Sequence, residues 1–133
     1  MNFSKTAMII YVTLLFVLSC SGAVKSADAL AGNWVGESIC TIKNSPCHDE
    51  HVIYRLEEPD PAGKMKIQMD KVVNGKPEIM GTVNCSFDTA TSTITCLVNE
   101  NTWKFKVAGK TMDGTLTLAD GRLYRRISVR KEK

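Results

Sequence analysis

The chain has 133 residues, with 17 Lys and Arg against 14 Asp and Glu, a formal charge of +3 at neutral pH. That length suits one domain. The charges are interspersed, with no basic block dense enough to bind nucleic acid by neutralising phosphates, so a nucleic-acid partner is not expected.

Residues 1–19 have the build of an export signal. Lys5 supplies a positive start, and Ala7 to Leu18 is an apolar run too short and wrongly flanked to span a bilayer. The run ends in Val17-Leu18-Ser19-Cys20, which resembles the lipobox of bacterial lipoproteins. That resemblance implies cleavage before Cys20, a lipid on Cys20, and a membrane partner through that lipid. Ser21 after the cysteine is not the aspartate that in many such lipoproteins marks inner-membrane retention, so an outer-membrane or periplasmic site in the cell envelope is implied. The alternative is cleavage after Ser21-Gly22-Ala23 and secretion of a soluble protein. Residues 20–29 are small and polar and read as a tether. Setting Cys20 aside leaves Cys40, Cys47, Cys85 and Cys96, which in a small exported domain read as two disulfides.

From Leu30 onward apolar residues alternate with polar ones, the mark of antiparallel strands with one wet face. The inward sets, in order, are Trp34, Gly36, Ser38, Cys40; Val52, Tyr54, Leu56; Met65, Ile67, Met69; Ile79, Gly81, Val83, Cys85, Phe87; Ile94, Cys96, Val98; Trp103, Phe105, Val107; Met112, Gly114, Leu116, Leu118; and Leu123, Arg125, Ile127, Val129. Turn chemistry then fixes register. A three-residue loop Val73-Asn74-Gly75 sets Met69 against Ile79. Ala90-Thr91 sets Cys85 against Cys96, within disulfide reach, and leaves Cys40 to pair with Cys47. Glu100-Asn101 sets Val98 against Trp103, Gly109-Lys110 forms a type II′ turn, and Asp120-Gly121 a type I′ turn with Leu118 against Leu123 and Leu116 against Arg125. Eight strands in a meander predict an all-β, eight-stranded antiparallel up-and-down barrel over residues 30–133.

Gly32-Asn33-Trp34 at the start of the first strand, with this meander behind it, resembles the calycin superfamily, the lipocalins and their relatives. The resemblance implies that Trp34 closes one barrel end under an arginine from the last strand, here Arg125, with Arg126 and Arg130 as rivals; a guanidinium over an indole is a favourable contact. It further implies a small apolar or amphiphilic ligand held inside the barrel without catalysis. Candidate ligand contacts are Tyr54, Met65, Met69, Trp103, Phe105 and Arg125, a soft apolar wall with one inward cation. The chain also differs from lipocalins in lacking a helix after the last strand. Barrel-shaped lysozyme inhibitors of bacterial envelopes offer the other comparison: a hydrolase inhibitor binding a protein partner through a loop such as Thr41 to His51.

Other motifs carry less. Cys47-His48-Asp49-Glu50-His51 is rich in metal-binding side chains, but its spacing fits no zinc signature, and a disulfide at Cys47 would remove a ligand. Neither a metal nor a cofactor is expected. Arg122-Leu123-Tyr124 has the form of a carboxylate-binding Arg-x-Tyr, yet the register turns both residues outward. The two histidines sit together rather than around a cleft, so no enzyme is expected.

Overall fold

The computed structural model describes residues 29–133, and the leader, with Cys20 and most of the tether, lies outside the described residues. The strands are β1 (Gly32–Cys40), β2 (Glu50–Leu56), β3 (Lys64–Val73), β4 (Lys76–Asp88), β5 (Thr93–Val98), β6 (Asn101–Ala108), β7 (Thr111–Thr117) and β8 (Leu123–Lys131). Each pairs antiparallel with its neighbour, and β1 also pairs with β8, so the sheet closes into a barrel. Closure leaves no unpaired edge. No helix among the described residues is long and apolar enough to cross a membrane.

The alternating residues fill the inside. Trp34, Val52, Tyr54, Ile67, Ile94, Cys96, Phe105 and Met112 are fully buried. Glycines let the wall close where a side chain would not fit. A Cβ on Gly36 would stand 2.1 Å from the Ser128 carbonyl oxygen on β8, and one on Gly114 would stand 2.3 Å from the Phe105 ring.

Three turns differ from expectation, and each difference has a local cause. Asn74 and Gly75 both take positive φ (51° and 76°) and form a two-residue turn, with Val73 opposite Lys76. This is the type I′ geometry that Asn-Gly favours. A bulge then inserts Met80 opposite the Met69–Asp70 step, so Ile79 pairs with Asp70, faces out and is 70% exposed. Ile79 is therefore not an inward residue, and Met69 faces Gly81.

The β5–β6 turn is Asn99-Glu100, both at positive φ (48° and 65°), one residue earlier than expected. Cys96 consequently faces Trp103 and Ile94 faces Phe105. At the β7–β8 turn Asp120 does not take positive φ. Gly121 alone does (86°), and Gly121 N–H donates to the Leu118 carbonyl at 2.9 Å. This is a three-residue loop, and Thr117, not Leu118, faces Leu123. An irregularity at Leu116–Thr117 accommodates Tyr124 and restores Leu116 opposite Arg125, as expected. Gly109-Lys110 is a two-residue turn with Val107 against Met112, also as expected.

Both disulfides form as the register required. Cys85 and Cys96 are direct ladder partners with Cα atoms 4.2 Å apart, and Cys40 joins Cys47 with Cα atoms 6.1 Å apart. Two disulfides fit a protein that folds outside the reducing cytoplasm.

Candidate functional site

The meander gives the barrel two unlike ends. One holds Trp34 at the start of β1. Trp34 is fully buried, and its indole N–H donates to the Leu30 carbonyl at 3.0 Å, so the segment leading into β1 plugs this end. The ladder partner of Trp34 on β8 is Lys131, whose ammonium bonds the Ala29 carbonyl. The expected Trp34–Arg125 contact is absent. Arg125 lies opposite Cys40, six positions up β8 from Lys131, or about 20 Å at about 3.3 Å per residue. Arg126 and Arg130 pair with Ile39 and Val35 and are exposed on the outer face, so neither replaces it.

The other end is open and polar. It is ringed by the Thr41–Asp49 connection and by the turns at Asn74-Gly75, Asn99-Glu100 and Leu118–Gly121. Just inside lies a cavity of about 290 Å³. Met69, Met80, Val83, Val98 and Trp103 make its apolar wall, and Tyr54 lies at its base. Ser38, Glu50 and Arg125 form a polar corner.

Arg125 is 9% exposed. Its Nη1 donates to the Ser38 carbonyl (3.3 Å), Ser38 Oγ (3.2 Å) and the His48 carbonyl (3.3 Å), and stands 3.6 Å from Glu50 Oε2. Nε and Nη2 take no acceptor among the described residues. The guanidinium lies 5.6 Å from the centre of the Tyr124 ring, so its aromatic partner is its chain neighbour rather than Trp34. The irregularity at Tyr124 explains how consecutive side chains meet, because strict alternation fails there.

Tyr54 has no exposed surface, and its hydroxyl lacks a hydrogen-bond partner. Burial pushes its pKa far above the ordinary value of 10.0. Ser38, close enough to favour the phenolate without reaching bonding geometry, and the Arg125 charge oppose this only partly. The phenol is thus a neutral donor with nothing to donate to.

Of the residues expected from the sequence, Tyr54, Met69, Trp103 and Arg125 converge on this cavity. Phe105 does not reach it; it packs against Tyr54 and Trp103 with ring centres 5.8 and 6.1 Å away. Met65 also lies elsewhere, at the edge of a wider depression of about 780 Å³ on the outer face over β3–β5. That depression is larger, but charged side chains, Glu57, Glu58, Asp60, Lys64 and Lys66, make up much of its lining.

Two further cavity residues, Glu50 and Met80, were not expected there: Glu50 stood only in the Cys47–His51 cluster of metal-binding types, and Met80 in no inward set. Glu50 continues the period of Val52, Tyr54 and Leu56 by one step, and its partner Ser38 is an inward residue. Met80 enters through the bulge, which no alternation pattern reveals.

The remaining candidates stay outside the cavity. His51 pairs with Glu37 at 2.7 Å on the outer face, and His48 is exposed in the β1–β2 connection. Cys47 is held in its disulfide, and no group of three metal-binding side chains occurs among the described residues. Arg122 is exposed and bonds Asp120 within its own turn at 2.7 Å, so Arg122 and Tyr124 do not form a joint anion site. Comparison with protein-family models, with curated proteins and with solved structures finds no match to this chain.

Proposed function

We propose that this is an exported, lipid-anchored, lipocalin-like protein that binds a small apolar or amphiphilic molecule in the open end of its barrel and does no chemistry on it. The supporting observation is the cavity itself. It is concave, mostly apolar and bounded by a few placed polar groups, the usual build of a small-molecule site. At the ~30 Å³ a water occupies in the liquid, its 290 Å³ hold about ten non-hydrogen atoms. The lipid on Cys20 would hold the barrel at an envelope membrane.

Native mass spectrometry of the protein purified from its host tests the reading. The expected result is a bound species of low mass that is lost on mild activation. A homogeneous apo mass, together with no binding from a panel of small amphiphiles, would overturn it.

A second reading is favoured by one specific feature. The Thr41–Asp49 connection is fixed at both ends, by the Cys40–Cys47 disulfide and by Asp49 Oδ1 accepting from Cys40 N–H at 2.8 Å. A loop held this firmly suits inhibition of an envelope hydrolase. Lysozyme activity that is unchanged by excess protein would count against that reading.

A further inference from the structure

The polar corner of the cavity carries information about the ligand's head, and this inference rests on the proposal that the cavity holds a ligand. Two side chains at this corner keep unused donor capacity. The buried Tyr54 hydroxyl has no hydrogen-bond partner, and Arg125 makes its hydrogen bonds to the described residues through Nη1 alone, which leaves Nε and Nη2. A buried hydroxyl left unpaired costs stability, and such a group in a folded protein calls for an explanation. An acceptor on a bound ligand supplies one.

The charge of that acceptor follows from Glu50. Among the described residues, Arg125 and Glu50 are the only basic and acidic side chains lining the cavity, and they face each other at 3.6 Å. The corner is already neutral. A carboxylate would bond the free guanidinium edge well, since that edge is a two-donor fork. It would also place a second negative charge next to Glu50 in a site where water screens poorly.

We infer that the ligand carries an uncharged oxygen acceptor, such as an ester, ketone or hydroxyl, that this head accepts hydrogen bonds from Tyr54 and Arg125, and that Glu50 discriminates against carboxylates. The apolar body then lies along Met69, Met80, Val83, Val98 and Trp103. A hydroxyl head could in addition donate to Glu50, completing the corner.

Three probes of about the right size separate these cases: methyl octanoate, nonanol and octanoate, the last kept fully ionised. Each is titrated into the purified protein by calorimetry and by the fluorescence of Trp103, which lines the cavity. The ester and the alcohol are expected to bind, with octanoate at least about tenfold weaker. Glu50→Gln should narrow or reverse that preference by about tenfold, because the cation is then uncompensated. Tyr54→Phe should weaken the ester about five- to tenfold, the worth of one hydrogen bond. Tight octanoate binding to the unmodified protein would overturn the neutral-head inference while leaving ligand binding intact. A Glu50→Gln variant with unchanged selectivity would overturn the discriminating role of Glu50, and an unchanged Tyr54→Phe affinity would overturn the hydrogen bond from Tyr54. Failure of all three probes, with no co-purified molecule, would overturn the inference and the proposed function together.

Discussion

A tyrosine whose ring is useful and whose hydroxyl is orphaned makes a direct test of structure against stability. The Tyr54 ring meets Trp103 and Phe105 edge-on at 6.3 and 5.8 Å, a favourable arrangement that Phe would keep. Removing the unpaired hydroxyl should therefore stabilise the ligand-free barrel by about 1 kcal/mol, read as a higher urea midpoint. The pH dependence has a definite sign. The folded-state pKa is raised above the unfolded value of about 10.0, so the neutral phenol contributes fully below that pH. As pH rises past it, the unfolded chain ionises first and stability falls. Tyr54→Phe should lack this part of the alkaline loss; identical alkaline curves for both proteins would show that the phenol is not buried as described. Arg125 makes the opposite case. Arg125→Ala removes the bonds to Ser38 and His48 and leaves Glu50, itself mostly buried, without its cation. A loss of about 2–4 kcal/mol is expected, against less than about 0.5 kcal/mol for the exposed Arg122→Ala. Equal losses would remove Arg125 from its central place in the polar corner.

At the scale of strands and turns, the barrel tolerates errors that come in twos. The Asn99-Glu100 turn shifts β5 against β6 by two residues from the expected pairing, and every side chain keeps its face because the side-chain period is two. A shift of one would expose the core, and each such shift is cancelled by an irregularity. Met80 absorbs the one made at Asn74-Gly75, and Tyr124 the one made at Leu118–Gly121. The Asn99-Glu100 turn is also strained, since a glutamate at φ 65° pays the left-handed penalty that glycine escapes. Glu100→Gly is expected to raise stability by about 0.5–1 kcal/mol in chemical denaturation, with an unchanged slope against denaturant. A destabilised variant would show that the Glu100 side chain makes contacts worth more than the strain.

For the whole molecule, closure makes one end a plug and the other a mouth. Leu30 and Trp34 seal the first. The second is held in shape by the disulfide-pinned Thr41–Asp49 connection, whose His48 carbonyl accepts a hydrogen bond from Arg125. The described chain begins at the plugged end, where the Ala29 carbonyl meets Lys131. Cys20→Ser is expected to move the protein from the detergent-extracted membrane fraction to the soluble one, with the unfolding midpoint of the barrel unchanged. Equal partition of the two forms would exclude the lipid anchor and leave plain secretion.

Hydrophobic alternation and turn residues determined by themselves that this chain is an eight-stranded meander, which residues face in along most of it, and that Cys85 pairs with Cys96. Those features depend on local period and on neighbouring strands, so they are written in consecutive residues. The pairing of β1 with β8, joining segments about a hundred positions apart, decided what the sequence left open. It placed Lys131 rather than Arg125 beside Trp34, and it brought Arg125 to Ser38 and the His48 carbonyl at the opposite end. The burial of Asp70 was equally illegible. Its alternation reads as solvent-facing, yet it is 1% exposed, bonded by Arg55 at 2.9 Å and by Gln68 at 3.0 Å. Met80 joined the cavity because a bulge outweighed alternation, and Glu50 joined it because Ser38, twelve residues earlier, is its partner across the ladder. Period is a property of one strand, whereas a site is a meeting of several, and its members are fixed only when the barrel closes and register becomes three-dimensional.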